Sequence, residues 1–169
     1  MNSYYCKIQK MSDYEKVREF TIGAGQHVTD KPTSMSYDEV KFLLRMALSE
    51  LQELALSVTS SEEEAFALLK DSLETIDHSR YEKLEDEDSI IAAQADSIVD
   101  LWYYALNAFS KKSVDLSAVF DVVHSANMAK RDPTTNQFIL RESDGKIIKP
   151  PGWTPPDIVA EIRRQRANN

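Results

Sequence analysis

Apolar residues recur along this chain at offsets of three and four, the period of helices that bury one face. Ser12-Asp13-Tyr14-Glu15 predicts a capping box, and Tyr14, Val17, Phe20 and Thr21 carry the helical period until Gly23 and Gly25. A second box at Ser36-Tyr37-Asp38-Glu39 opens a helix with a stripe of Val40, Leu44, Ala47, Leu51, Leu54 and Val58, expected to be buried. A third, Ser61-Glu62-Glu63-Glu64, precedes Ala65, Phe66, Leu69, Leu73 and Ile76, and its glutamates complement the helix macrodipole. Ile90, Ile91, Ile98, Leu101, Trp102, Ala105, Leu106 and Phe109 mark a fourth helix, apolar around enough of its circumference to be expected at the centre. Asp115 is the expected N-cap of a fifth, containing Leu116, Val119, Phe120, Val123, Ala126 and Met128 and ending near Lys130.

Beyond Asp132-Pro133 the period changes. Phe138-Ile139-Leu140 and Lys146-Ile147-Ile148 flank Ser143-Asp144-Gly145, which predicts a small hairpin with its turn at Asp144-Gly145. Thr154-Pro155-Pro156 predicts an N-cap with proline at the first helical position, followed by a short last helix through Ile158, Val159 and Ile162. The expectation is all-α: a bundle of about five helices in one domain over 1–169, with 131–169 as a tail that wraps a neighbour or its own core.

Composition narrows the function. The chain has 169 residues and a net charge of −8, which argues against a broad surface that tracks nucleic-acid phosphates, since such a surface needs clustered Lys and Arg. An anionic ligand would therefore need a cation as mediator. No run of about 18 uncharged apolar residues offers a membrane helix, and Met1–Lys7 lacks the apolar core of a signal peptide. Cys6 is the single cysteine, so neither an intrachain disulfide nor a cysteine-based zinc site is expected. The expected compartment is cytoplasmic.

Two carboxylate pairs stand out. Glu50 and Glu53 are three apart on the second helix, at the edge of its apolar stripe, and Asp96 and Asp100 are four apart on the fourth. Packed together, such helices can build a metal site from carboxylates, and ligands that are all oxygen select magnesium or manganese. Unit charges about 4 Å apart repel by roughly 4 kcal/mol at an effective dielectric near 20, so a converged cluster needs a cation. Acid pairs at helical spacing also occur on solvated faces, and spacing alone does not decide between the two.

The segments read together are more specific. Leu48-Ser49-Glu50-Leu51-Gln52-Glu53-Leu54 resembles the E-E-x-x-E helix of the MazG-like all-α NTP pyrophosphohydrolases, and Asp96-Ser97-Ile98-Val99-Asp100-Leu101-Trp102-Tyr103 resembles their second acidic helix. The stretch Val119–Lys130, with Ser125-x-Asn127-x-x-Lys130, resembles their third segment. Asp144-Gly145-Lys146 and Gly152–Asp157 resemble the tail of the phosphoribosyl-ATP pyrophosphohydrolase-like, or Cof-like, branch. Two departures are visible: Ser49 stands at the first glutamate position, and D-x-x-x-D replaces the common E-x-x-D. The segment between the acidic helices is also long for the family.

The resemblance implies magnesium-dependent hydrolysis of a nucleoside triphosphate between the α and β phosphates, giving a monophosphate and pyrophosphate. Glu50, Glu53, Asp96 and Asp100 become the expected metal ligands, with Glu50 or Glu53 as an alternative general base. Asn127, Lys130 and Lys31 become the expected substrate contacts. The resemblance also implies a homodimer or homotetramer whose site can borrow residues from a neighbouring chain. The alternatives are a dUTP- or phosphoribosyl-ATP-specific hydrolase on the same scaffold, and a non-catalytic nucleotide-binding or assembly module. His27, His78 and His124 have no metal spacing and are expected at the surface or in packing, and Trp102 and Tyr103 in a core or a subunit interface.

Overall fold

In the computed structural model the described residues are 11–77, 79, 83–142 and 146–168. Cys6, His78 and the Ser143-Asp144-Gly145 turn lie outside them. Six helices form: α1 Asp13–Gly23, α2 Tyr37–Leu56, α3 Glu62–Glu74, α4 Glu87–Ser110, α5 Leu116–Met128 and α6 Ile158–Ala167. The fold is all-α, and the described residues contain no strand beyond two isolated antiparallel bridges, Arg131 with Phe138 and Leu140 with Ile147. The second bridge is the pairing expected of the hairpin, reinforced by Arg141 N–H to Lys146 O and Ile148 N–H to Ile139 O, both 2.8 Å.

The caps account for the helix boundaries. Ser12 and Ser36 each accept from the third residue of their helix, while Glu15 and Glu39 reach back to the serine N–H at 2.7 Å. The third box is only half formed. Ser61 accepts from Glu64 N–H, but the Glu64 carboxylate takes the Ser60 N–H at 2.8 Å instead. Asp115 caps α5 as expected. The cap of α6 is Asp157 rather than Thr154, its carboxylate accepting from Ala160 N–H. A residue before proline is driven toward extended backbone, so Thr154 and Pro155 cannot open the helix and the first polar side chain after the prolines does.

The chain divides into two compact units, one made of the described part of Met1–Asp30 together with Leu101–Asn169, the other of Lys31–Asp100. In the first, α5 packs on α1 and α6. Lys16 of α1 pairs with Asp121 of α5, and that hydrogen bond above all holds the Lys16 ammonium above its ordinary pKa. Phe20 meets Phe138 edge to face at 5.1 Å, and Arg131 bonds Glu19 at 3.2 Å. Gly23 makes the close approach possible, since a Cβ there would lie 3.0 Å from the Phe138 ring and 3.3 Å from the Arg131 guanidinium. The C-terminal segment docks on α5: Trp153 Nε1–H donates to Ala126 O at 2.8 Å, and Gln165 of α6 clamps the Asp115 backbone.

In the second unit α3 packs along α2 over a groove of about 400 Å³ lined by Arg45, Leu48, Ser49, Gln52, Phe66, Leu69, Lys70 and Leu73. The buried apolar residues of the described chain are small, Ala24, Ala55 and Ala65. Two expectations are corrected here. The α2 stripe is not covered within one chain, with Leu44 57%, Leu54 56% and Val58 75% exposed. Nor is α4 central: it has no buried residue, and Val99, Leu101, Trp102 and Tyr103 are exposed. The extensive helix pairs among the described residues are α2 with α3, α5 with α6 and α1 with α5.

Candidate active site

All four expected metal ligands lie in the unit Lys31–Asp100. Glu50 and Glu53 stand on the second half of α2, one turn apart, and Asp96 and Asp100 on the part of α4 that belongs to this unit. All four are exposed. The structure brings the members of each pair together on one helix face. It does not gather three or more of them: among the described residues no group of three His, Cys, Asp or Glu side chains is placed to hold one metal ion.

The beginning of α4 is fixed to the entrance of α2. Gln94 accepts from Met35 N–H at 2.7 Å and donates to Met35 O at 3.0 Å. Glu87 accepts from both Ser34 N–H, at 2.7 Å, and Ser34 Oγ, at 3.0 Å. These bonds hold α4 beside the N-terminus of α2, whereas Glu50 stands about 21 Å further along the α2 axis at a rise of about 1.5 Å per residue. The anchoring thus acts at the opposite end of α2 from the glutamate pair.

Ser49 takes a different part from the glutamate of the resembling pattern. Its Oγ donates to Met46 O at 2.7 Å, and the residue lines the α2–α3 groove beside Phe66 and Leu69. A carboxylate at this position would start on the α3-facing side of α2. The long segment that contributes α3 therefore gives a physical reason for a small hydroxyl here.

The expected substrate contacts are divided between the units. Lys31 is exposed in the loop before α2. Asn127 lies in the last turn of α5 and Lys130 follows its C-cap, in the other unit. Lys130 Nζ donates to Asn127 Oδ1 at 2.7 Å, so these two are brought together. Burial, and after it the charge of Lys149, holds the Lys130 ammonium below the ordinary lysine pKa. Sequence reasoning passed over Lys149 and the role of Trp153: both approach Lys130 across a turn of chain whose path no spacing reveals. His124 stacks on Phe120 with ring centroids 6.0 Å apart, a packing role.

A profile of the phosphoribosyl-ATP pyrophosphohydrolase family matches residues 17–127, about two thirds of the chain. The chain belongs to that family. It is accordingly a hydrolase acting on phosphoric anhydrides. Its fold is similar to the crystal structure of a protein from Exiguobacterium sp. 255-15, provisionally named an NTP pyrophosphohydrolase, with a TM-score of 0.81 and 28% sequence identity over 92% of this chain and 96% of that one. A search of curated protein sequences found no match. The family-matched stretch contains Glu50, Glu53, Asp96, Asp100 and Asn127 and stops before Lys130, Lys149 and Trp153.

Proposed function

We propose that this hydrolase cleaves nucleoside triphosphates between the α and β phosphates, releasing a monophosphate and pyrophosphate, in a magnesium-dependent reaction carried out in the cytoplasm. One observation carries the reading. Inside the family-matched stretch, Glu50, Glu53, Asp96 and Asp100 form two helical pairs of exposed carboxylates, and none of the four bonds to another described side chain. Carboxylates without a partner among the described side chains offer oxygen donors alone, which fit a hard divalent cation. Bound there, magnesium or manganese would offset the triphosphate charge and acidify a coordinated water.

The residues of the chain supply the rest. Glu50 or Glu53 would accept the proton of the attacking water, and the remaining carboxylates would hold the cation. Asn127 offers its amide, and Lys130 and Lys31 their charges, to the nucleotide. Three or more of the acids do not converge in one chain, and Leu44, Leu54, Leu101 and Trp102 are uncovered. Both facts support a homodimer or homotetramer in which α2 and α4 meet their counterparts. Covering these half-exposed apolar side chains favours assembly in proportion to the area removed from water.

The test is a panel of ordinary and modified nucleoside triphosphates with and without magnesium, reading monophosphate and pyrophosphate together. Glu50→Gln and Asp100→Asn should each lower the magnesium-dependent rate at least about a hundredfold, a loss of roughly 2.7 kcal/mol of transition-state stabilisation. Unchanged rates in both variants would overturn the site. Phosphoribosyl-ATP belongs in the panel as a second reading, because the matching family profile is described by that substrate.

A further inference from the structure

Trp153 is fixed in place: its Nε1–H is committed to Ala126 O, and the residue is half-buried. Two ammonium groups from different parts of the sequence approach this one indole. Lys149 Nζ lies 4.4 Å from the ring centroid and Lys130 Nζ 5.6 Å from it. Among the described residues neither lysine pairs with a carboxylate, in a chain where Asp and Glu outnumber Lys and Arg by 28 to 20. Burial, and after it the charge of Lys149, lowers the Lys130 pKa.

Asn127 Oδ1 accepts from Lys130, which leaves its amide N–H groups as the donors it can offer a ligand. The indole face attracts the two nearby ammonium groups through its ring quadrupole and limits where they can move. Two positive charges, an amide donor and a rigid apolar wall suit an extended polyanion better than a single phosphate, which one lysine could serve alone.

We infer that Lys149, held on Trp153 beside Lys130 and Asn127, completes a polyphosphate subsite that takes the phosphate chain of the nucleotide. The inference rests on the hydrolase reading above for its ligand. It adds to that reading a cation contributed by the segment after the hairpin, outside the stretch shared with the family.

Binding of inorganic pyrophosphate and of tripolyphosphate, without divalent metal, can be followed by NMR on the 15N-labelled full chain, using the Trp153 indole N–H signal assigned with W153F. The expected result is a saturable shift of that signal. K149Q should weaken pyrophosphate binding about tenfold and lower kcat/KM for nucleoside triphosphate about as much, while K149R should stay within about threefold of wild type. Lys149 is exposed, so an unchanged melting temperature should accompany K149Q. If pyrophosphate leaves the Trp153 signal unmoved, or K149Q binds it as wild type does, the subsite is overturned even if hydrolysis proceeds. If pyrophosphate binds through Lys149 but no nucleotide is hydrolysed, the subsite stands and the nucleoside triphosphate reading falls.

Discussion

The Gln94 side chain exchanges two hydrogen bonds with the backbone of Met35, accepting from its N–H and donating to its carbonyl. One amide thereby satisfies both polar groups of the residue just before the α2 cap. Replacing it with an isosteric apolar side chain leaves those groups unpaired in a partly buried place. Gln94→Leu should lower unfolding stability by about 1–3 kcal/mol, seen as a lower denaturant midpoint with an unchanged slope, together with faster hydrogen exchange at the start of α2.

The proposed ligands can be tested by stability as well as rate. A cation that binds only the folded state stabilises it by RT ln(1 + [L]/Kd), about 2.7 kcal/mol at one hundred times Kd. Magnesium should raise the melting temperature of the wild type, and the Glu50→Gln/Asp100→Asn double variant should show no such rise. An equal rise in both would place the ion elsewhere.

Glu161 carries the clearest pH signature. The Arg164 guanidinium, bonded to both of its oxygens at 2.7 Å, and after it the Gln165 amide hold its pKa at about 2 against an ordinary 4.5. A depressed carboxylate pKa stabilises the fold fully above the ordinary value and loses that contribution as pH falls through the folded one. Stability should therefore decline between about pH 4.5 and pH 2, and Glu161→Gln should flatten that part of a pH titration of the denaturation midpoint.

Gly23 lies at the end of α1 where Phe138 and Arg131 close in. Gly23→Ala would set a methyl group 3.0 Å from the Phe138 ring, and overpacking of this kind costs about 1–3 kcal/mol. Thermal unfolding of G23A should show that loss; Gly25→Ala meets no neighbouring atom but is strained by its φ of 72°.

The exposed stripe of α2 predicts assembly. Leu51→Glu with Leu54→Glu puts two charges on that stripe, where Leu51 is 39% and Leu54 56% exposed in one chain. Sedimentation velocity should find a dimer or larger species for the wild type and monomer for the double variant. A wild type that sediments as a monomer at assay concentration would remove the assembly proposal.

The local signals of the chain were sufficient for the helices. Serine caps with glutamate three residues on, a three-to-four apolar period and glycine or proline punctuation act within a turn or two, so α1 to α5 are readable from neighbouring residues. The late start of α6 is an exception of the same kind, since Asp157 and Thr154 are both capping residues and backbone restriction by the prolines chose between them.

Tertiary structure decided what covers what. Apolar periodicity says that a face of α4 must leave water, but not whether its partner belongs to the same chain, and α4 has no buried residue among the described parts of the chain. Spacing likewise put Glu50 beside Glu53 and Asp96 beside Asp100, because positions one turn apart on a helix are neighbours by geometry. The approach of Lys149 to Lys130 over Trp153 depends on how the chain returns after the hairpin. Residues nineteen positions apart meet through the path of the backbone, and no local rule encodes that path.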